Sequence, residues 1–443
     1  MNKTFAQNKQ QSRRQFLKLA GLSIAASSAP ALLKPAEAAK IRSQARIVIV
    51  GAGAGGLAAA SRLSNALKGA SITIIDGKEA HHYQPGLTLV ASGVWKPHKV
   101  ISKNSRYIPA DVRWIKAYVS DYDPDANRVI TEDGQSIDYD YLVVAPGLQL
   151  DYEQIEGMES RLIGQHGITS VYAGPDAAAA TWRGIQDFIN NGGIGLFGRP
   201  TGDIKCAGAP LKITMLTHYR LQEAGRRQQA TMIYNADSKA LFGVPIINKE
   251  VVRLFAERDI GVNYDHVLTA IDPGRRQARY RTPTGEVTMD YDFIHVVPPM
   301  RAPDSLKASP LAWQEGPFAS AGWLEVDKHT LQHRRYPNVF GIGDINGVPR
   351  GKTAASVKLQ APVAIHNLLS VLQGQEPSTH YNGYTSCPLI TGVGSAMLVE
   401  FDYDGNLIPS FPFIDPLKEG WVPWLLKETL LQPAYQAVLR GTV

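Results

Sequence analysis

The chain of 443 residues contains two cysteines, Cys206 and Cys387. Two are too few for a structural disulfide framework, so any role they have is individual. An unpaired cysteine is either a small buried hydrophobe or a reactive thiol, and reactivity rather than packing usually decides its importance. Both lie in loop-like surroundings, Lys205-Cys206-Ala207-Gly208-Ala209-Pro210 and Tyr384-Thr385-Ser386-Cys387-Pro388-Leu389. Lys205 adjoins Cys206, and a nearby cation favours the nucleophilic thiolate. The chemistry open to the two sulfurs is thiol–disulfide exchange, jointly or separately, because a separation of 181 residues neither pairs them nor refutes a pair. With the eleven histidines they show no metal-ligand spacing.

A redox thiol needs an electron partner, and the N-terminal third supplies the elements to hold one. Arg46-Ile47-Val48-Ile49-Val50 is a continuous β-branched run, as expected of a buried parallel strand. It leads into Gly51-Ala52-Gly53-Ala54-Gly55-Gly56 and a helical stretch from Leu57 to Leu67. Gly51 permits the tight turn, Gly53 the approach of a pyrophosphate, and Gly56 close helix–strand packing. The helix start offers free N–H groups to the phosphates. A second strand, Ser71 to Ile75, ends at Asp76, whose carboxylate is placed to accept hydrogen bonds from an adenosine ribose. This motif does not separate FAD from NAD.

Two later segments favour FAD. Asn338-Val339-Phe340-Gly341-Ile342-Gly343-Asp344 resembles the second FAD signature of two-dinucleotide-domain flavoproteins, in which the Asp meets the ribityl chain. Tyr139 to Gly147 resembles the strand by which the chain leaves the FAD domain, with Pro146 where Thr is usual. Between them runs another α/β pattern: a strand at Ile194–Gly198, a helix from Leu211 to Arg220, and a strand at Thr231–Tyr234. In pyridine-nucleotide reductases that first turn carries a second glycine motif. Here it reads Gly198-Arg199-Pro200-Thr201-Gly202, with the wrong spacing and a proline that removes an N–H where phosphates need one. Tight NAD(P)H binding is therefore not expected.

The two cysteine segments resemble the cysteine motifs of sulfide:quinone oxidoreductases, especially the subgroup that includes the mitochondrial enzymes. The resemblance extends over about residues 45–415. It takes in His82-Tyr83-Gln84-Pro85-Gly86, His295 to Met300, Gly351-Lys352-Thr353-Ala354-Ala355, Glu400 to Tyr403 and Phe411-Pro412-Phe413. It implies an α/β protein with two Rossmann-like dinucleotide-binding domains of the FAD/NAD(P) disulfide-reductase-like type and a C-terminal amphipathic region. FAD would be held by Gly51, Gly53, Gly56, Asp76, Pro85, Gly147, Gly343, Asp344 and Lys352. Hydrogen sulfide would attack a Cys206–Cys387 disulfide or its sulfur-bridged form. Cys206 would then carry the persulfide, and Cys387 would stand on the flavin side. Lys352 would stabilise negative charge near the reduced flavin. His82 and His295 read as packing or hydrogen-bonding residues rather than proton shuttles.

The charge of +6 hints at nucleic acid until it is located. Residues 1–38 hold six of the 46 basic side chains and one of the 40 acidic ones, leaving 40 basic against 39 acidic. The remainder is nearly neutral, so nucleic acid drops out as a partner. The segment has a basic start, a weakly apolar run from Leu17 to Leu33 and Ala36-Glu37-Ala38 as a small-residue cleavage site. Ser12-Arg13-Arg14-Gln15-Phe16-Leu17-Lys18 resembles a twin-arginine export motif, and the expected location is the periplasm. Export in the folded state suits a protein that binds its cofactor first.

Beyond Phe401 the chain turns aromatic and apolar, with Pro423 and Pro433 dividing it into short helical pieces and Lys418, Lys427 and Arg440 alongside. This reads as an interfacial patch, peripheral on the membrane and facing quinone, rather than a span. Phe411 and Phe413 are the candidates to flank a quinone ring. The resemblance also implies family segments beyond Val443, so a reduced membrane affinity is expected. The expected organisation is a signal peptide at 1–38, FAD-binding segments at 45–150 and 311–385, a second Rossmann-like domain at 151–310, and a redox-cysteine and quinone-facing region at 386–443. The sequence leaves a homo-oligomer open, and names no sulfur acceptor. Rival readings are the flavoprotein subunit of a flavocytochrome c sulfide dehydrogenase, a type II NADH dehydrogenase, and a flavin-bearing sensor with merely packed cysteines.

Overall fold

A computed structural model describes residues 40–443. The expected signal peptide at 1–38, with its twin-arginine motif, lies outside the described residues. Strand β1 (Arg46–Val50), helix α1 (Ala54–Ala66), strand β2 (Ser71–Ile75), strand β3 (Val112–Ile115) and strand β4 (Tyr141–Val144) build the first layer. Both strand expectations match residue for residue because each run is buried after its first residue, as the centre of a parallel sheet requires.

The chain then leaves this sheet. Strand β5 (Ile168–Thr169), helix α2 (Pro175–Asn191), strand β6 (Gly193–Gly198), helix α3 (Ala209–Glu223), strand β7 (Ala230–Asn235), helix α4 (Pro245–Glu257), strand β8 (Gly261–Asn263) and strand β9 (Phe293–His295) form a second α/β unit. Its five strands are parallel in the order β5-β9-β6-β7-β8. Strand β10 (Val339–Gly341) returns to the first unit and pairs with β4, Leu142 opposite Val339. The first sheet thus has the order β10-β4-β1-β2-β3. That return places Gly51 and Gly343 beyond the carboxyl ends of the two strands that flank β4, where doubly wound folds bind their ligands.

Helix α5 (Ala354–Leu372) packs on α1, and its N-terminus is capped by the Thr353 hydroxyl, which accepts from Ser356 N at 3.1 Å. Strands β11 (Thr385–Gly392) and β12 (Ser395–Phe401) form an antiparallel hairpin with Cys387 opposite Val399.

The C-terminal region folds as helix α6 (Trp421–Leu425), a π-helical turn at Leu426–Leu430 and helix α7 (Leu431–Leu439). Pro423 sits third in its helix, inside the first turn, where the missing N–H has no intrahelical partner to lose, whereas Pro433 directly follows the π-helical turn in the continuing helix. The segment spends more of its apolar surface on the protein than the sequence suggests. Trp424, Val438 and Leu439 are buried, and Ser61 Oγ donates to the Leu439 carbonyl at 2.7 Å. Exposed large apolar side chains remain at Phe411, Phe413 and Leu430. Among the described residues no helix is long and apolar enough to cross a membrane.

Candidate active site

The glycine cradle at the end of β1 divides its work by space. A Cβ on Gly51 would stand 2.3 Å from the Ala145 carbonyl oxygen, and one on Gly56 would stand 1.8 Å from that of Gly51. A Cβ on Gly53 would meet nothing within 4 Å, which is the opening a pyrophosphate needs. Gly147 is likewise open. Asp76 accepts from Ala52 N at 2.6 Å and from Lys78 N at 2.8 Å, fixing its carboxylate beside the cradle. Gly343 N donates to Gln360 Oε1 at 2.7 Å. The Asp344 carboxylate has no hydrogen-bond partner among the described residues, and burial raises its pKa despite Lys205 and Lys352. An open phosphate cradle and an unsatisfied acid fit the pyrophosphate and ribityl hydroxyls of FAD.

Two substitutions separate these roles. Gly53→Ala is expected to keep the fold but lose bound flavin, read as flavin absorbance per protein. Gly56→Ala has no room, and a large fall in melting temperature is expected from the overpacking, worth about 1–3 kcal/mol or more.

In the second unit the turn after β6 is closed to a nucleotide. Arg199 Nε lies 3.2 Å from Asp237 Oδ1, and both side chains are largely buried. The cavity lined by Gly198, Arg199, Pro200, Asn235 and His295 holds about 20 Å³. Ligand pockets run to roughly 300–1,000 Å³. His295 is buried, and its Nε2 accepts from Val171 N at 3.2 Å. Its pKa falls to about 3 through burial, in keeping with a packing role.

The same turn instead carries Cys206 to the hairpin. Helix α3 packs on β11, and a Cβ on Gly208 would stand 2.4 Å from Cys387 Sγ, so only glycine leaves that sulfur its place. Cys206 and Cys387 are both free cysteines, brought to the same site by the Gly208 contact and by Lys212, whose charge both sulfurs feel. Cys206 is partly exposed, whereas Cys387 is buried. Cys206 sits at φ 49°, a left-handed backbone uncommon for a side-chain-bearing residue. It is held there by its N–H to the Lys352 carbonyl at 2.9 Å and by Tyr172 Oη, which donates to its carbonyl at 3.2 Å.

The cations around the thiols are not the one that adjacency in sequence suggests. Lys212, on α3 and 3% exposed, places Nζ 3.4 Å from Cys206 Sγ. Lys427, in the π-helical turn and 2% exposed, donates to the Pro85 carbonyl at 2.5 Å. Cys387, then Lys212 and Lys427, hold Cys206 well below an ordinary thiol against the cost of burial. Cys206 and burial push Cys387 well above. Burial alone would lower Lys212, but the two sulfurs raise it above its usual value, so it stays charged. Burial brings Lys427 down to about 7. The strongest charged neighbour of Lys205 is Asp344, not Cys206.

Lys212 and Lys427 escape a sequence reading. The signal for both was a lysine inside an apolar run, Pro210-Leu211-Lys212-Ile213 and Trp424-Leu425-Leu426-Lys427, which reads equally as a snorkelling surface residue. Lys352 is buried too. Its Nζ donates to the Asp344 and Asn346 carbonyls, each at 2.8 Å, and lies 3.7 Å from the Trp323 ring centroid. Burial lowers it to about 8. Phe411 and Phe413 contact each other edge to face at 5.8 Å, and Phe413 is 77% exposed.

Residues 45–179 match the pyridine nucleotide-disulphide oxidoreductase family. The mouse mitochondrial sulfide:quinone oxidoreductase is 38% identical over 399 residues, covering 89% of this chain and 86% of that protein. The chain belongs to the sulfide:quinone oxidoreductase family. The Dictyostelium discoideum mitochondrial member is 37% identical over 416 residues, covering 94% of this chain and 90% of its own length. The crystal structure of the family member from Aquifex aeolicus superposes with a TM-score of 0.74 at 23% identity, over 90% of this chain and 92% of that one, which establishes the shared fold. Membership makes this an FAD flavoenzyme, in agreement with the open cradle and the unsatisfied Asp344.

Proposed function

We propose that the chain oxidises sulfide to sulfane sulfur, as persulfide or polysulfide, through a Cys206/Cys387 redox pair, with electrons leaving through FAD to membrane quinone. The observation that carries this reading is the meeting of the two cysteines beside two buried ammonium groups, Lys212 and Lys427. In the oxidised enzyme, hydrosulfide forms a new S–S bond to Cys206, the Cys206–Cys387 bond breaks, and its electron pair leaves on Cys387 as thiolate. Lys212 interacts with both sulfurs, so it stabilises charge on whichever bears it. The partial exposure of Cys206 suits the sulfur that must be handed to an acceptor. Once the outer sulfur has passed to an acceptor, Cys387 and Cys206 re-form their S–S bond, and FAD held in the cradle would supply the two-electron oxidant for that step and the route to quinone. Lys352 acts as a fixed positive charge beside the flavin, and Phe411 and Phe413 flank the quinone.

The segment 1–38 directs twin-arginine export to the periplasm, and the exposed Phe411, Phe413 and Leu430 give a peripheral membrane contact. Anaerobic addition of sulfide to the purified flavoprotein should bleach the flavin, and a quinone analogue should restore it. Restoration by cytochrome c alone would transfer the chain to the flavocytochrome type. Bleaching by NADH but not by sulfide would overturn the proposal.

A further inference from the structure

A cavity of about 230 Å³ lies on the far side of Tyr83 and Tyr435, between the Ala80–His82 and Ile101–Lys103 hairpin and helix α7. None of the glycine cradle, Asp344 or the cysteines lines it. Its polar wall includes Lys99, Ser102, Arg106, Tyr107, Gln432 and Gln436, besides His81 and Tyr435, which hydrogen-bond each other at 2.8 Å. The two segments that form it are almost free of acids. No Asp or Glu occurs from Ala80 to Ala110, which holds Lys96, Lys99, Lys103 and Arg106, nor from Thr429 to Val443. Glu428 at the edge is engaged by Trp95 Nε1 at 3.0 Å and lies 3.6 Å from Lys99 Nζ. Gln432 Nε2 donates to the Lys99 carbonyl at 2.7 Å and closes one end.

Three groups are left without partners among the described residues. The Arg106 guanidinium has no hydrogen bond or ion pair, and neither has the side-chain amide of Gln436. The Tyr107 hydroxyl makes no hydrogen bond although that residue is 4% exposed. That hydroxyl is accessible from the cavity rather than sealed in protein, so it is open to hydrogen-bond a bound group there. A free guanidinium beside it offers the forked donor geometry that suits phosphate.

We infer that this cavity binds a phosphate-type anion, presented either by the headgroup of an anionic glycerophospholipid or by a free phosphate. The exposed Leu430 borders the same helix and would lie against acyl chains in the lipid case. The site goes beyond the sulfide chemistry and does not depend on it.

The test uses the full FAD-loaded chain. Co-flotation is measured with vesicles of phosphatidylcholine alone and of phosphatidylcholine mixed with phosphatidylglycerol, and inorganic phosphate is titrated by calorimetry. Arg106→Gln is compared with Lys103→Gln, which removes the same charge from the same segment outside the cavity lining. Arg106→Gln is expected to weaken binding about tenfold or more, the effect of losing a charge-assisted hydrogen bond, and Lys103→Gln to weaken it markedly less. A preference for the anionic vesicles lost in Arg106→Gln assigns the lipid. A calorimetric phosphate signal lost in that variant, without vesicle preference, assigns the soluble anion. Equal losses in both variants mean diffuse surface charge and overturn the site, as does the absence of binding to either probe. Unchanged melting temperatures show that each variant is folded.

Discussion

Cys387→Ser and Cys206→Ser are each expected to abolish sulfide-dependent bleaching of the flavin, by about 10³-fold or more in rate, while leaving the flavin bound. A serine oxygen cannot form the S–S bond to hydrosulfide, and it is a poor leaving group where a thiolate is needed. The two sulfurs act as one unit, so the double variant should be hardly slower than either single one. The cysteines lie outside the glycine cradle, so flavin absorbance per protein should match the parent. Stopped-flow reduction by anaerobic sulfide measures the effect, and retention of parental bleaching in either variant would sink the redox pair.

Lys212→Met should give the second-largest effect. Lys212 is buried, hydrogen-bonds the Cys206 sulfur at 3.4 Å, and keeps its charge because the sulfurs outweigh its burial. Removing one member of a buried charge pair costs about 3 kcal/mol, or roughly a hundredfold in rate if the thiolate is the reacting species. The pH profile gives the sign. In the reduced pair the Cys206 pKa is held well below an ordinary thiol, so the thiolate that re-forms the bond to Cys387 is present at neutral pH and is lost only as pH falls through that lowered value. Without Lys212 this limb moves to higher pH, and the deficit is largest in acid and shrinks as pH rises.

A purely structural role for Lys212 predicts something else. Its loss would lower the melting temperature, because the charge left behind is uncompensated, so an unchanged melting temperature with a slowed reaction separates the two. Lys427→Met should act in the same direction but less strongly, because Lys427 ranks after Lys212 among the charges on Cys206. Burial also brings it to about 7, so it discharges as pH rises through neutrality.

Much of the scaffold was written locally. Arg46–Val50 and Ser71–Ile75 are legible because a strand buried on both faces must be a continuous β-branched run, whatever else the chain does. The roles of Gly51, Gly53 and Gly56 are legible because the strand–turn–helix spacing specifies them, although the Ala145 carbonyl that crowds Gly51 comes from a distant strand. The proline-bearing turn after β6 announced a poor nucleotide site, although the Arg199–Asp237 pair that closes it joins residues 38 apart. The two cysteines stood out as candidates by scarcity alone.

What tertiary structure decided is which distant groups share one low-dielectric site. Lys205 looked like the cation for Cys206 because it is adjacent, yet adjacent residues in a turn need not face the same way, and the charge it feels most is that of Asp344. Lys212 reaches the sulfur because one helix carries both it and the loop before it onto the β11 hairpin. Lys427 arrives from the C-terminal segment, where an amphipathic pattern could not tell burial against the protein from burial in a membrane. By itself the sequence determined the sheets, the dinucleotide cradle and the candidate thiols, since local periodicity and steric need specify them. The packing of α3, the hairpin and the C-terminal helices decided the electrostatics of the thiols, since a charge acquires its strength from burial and from neighbours that the linear order does not reveal.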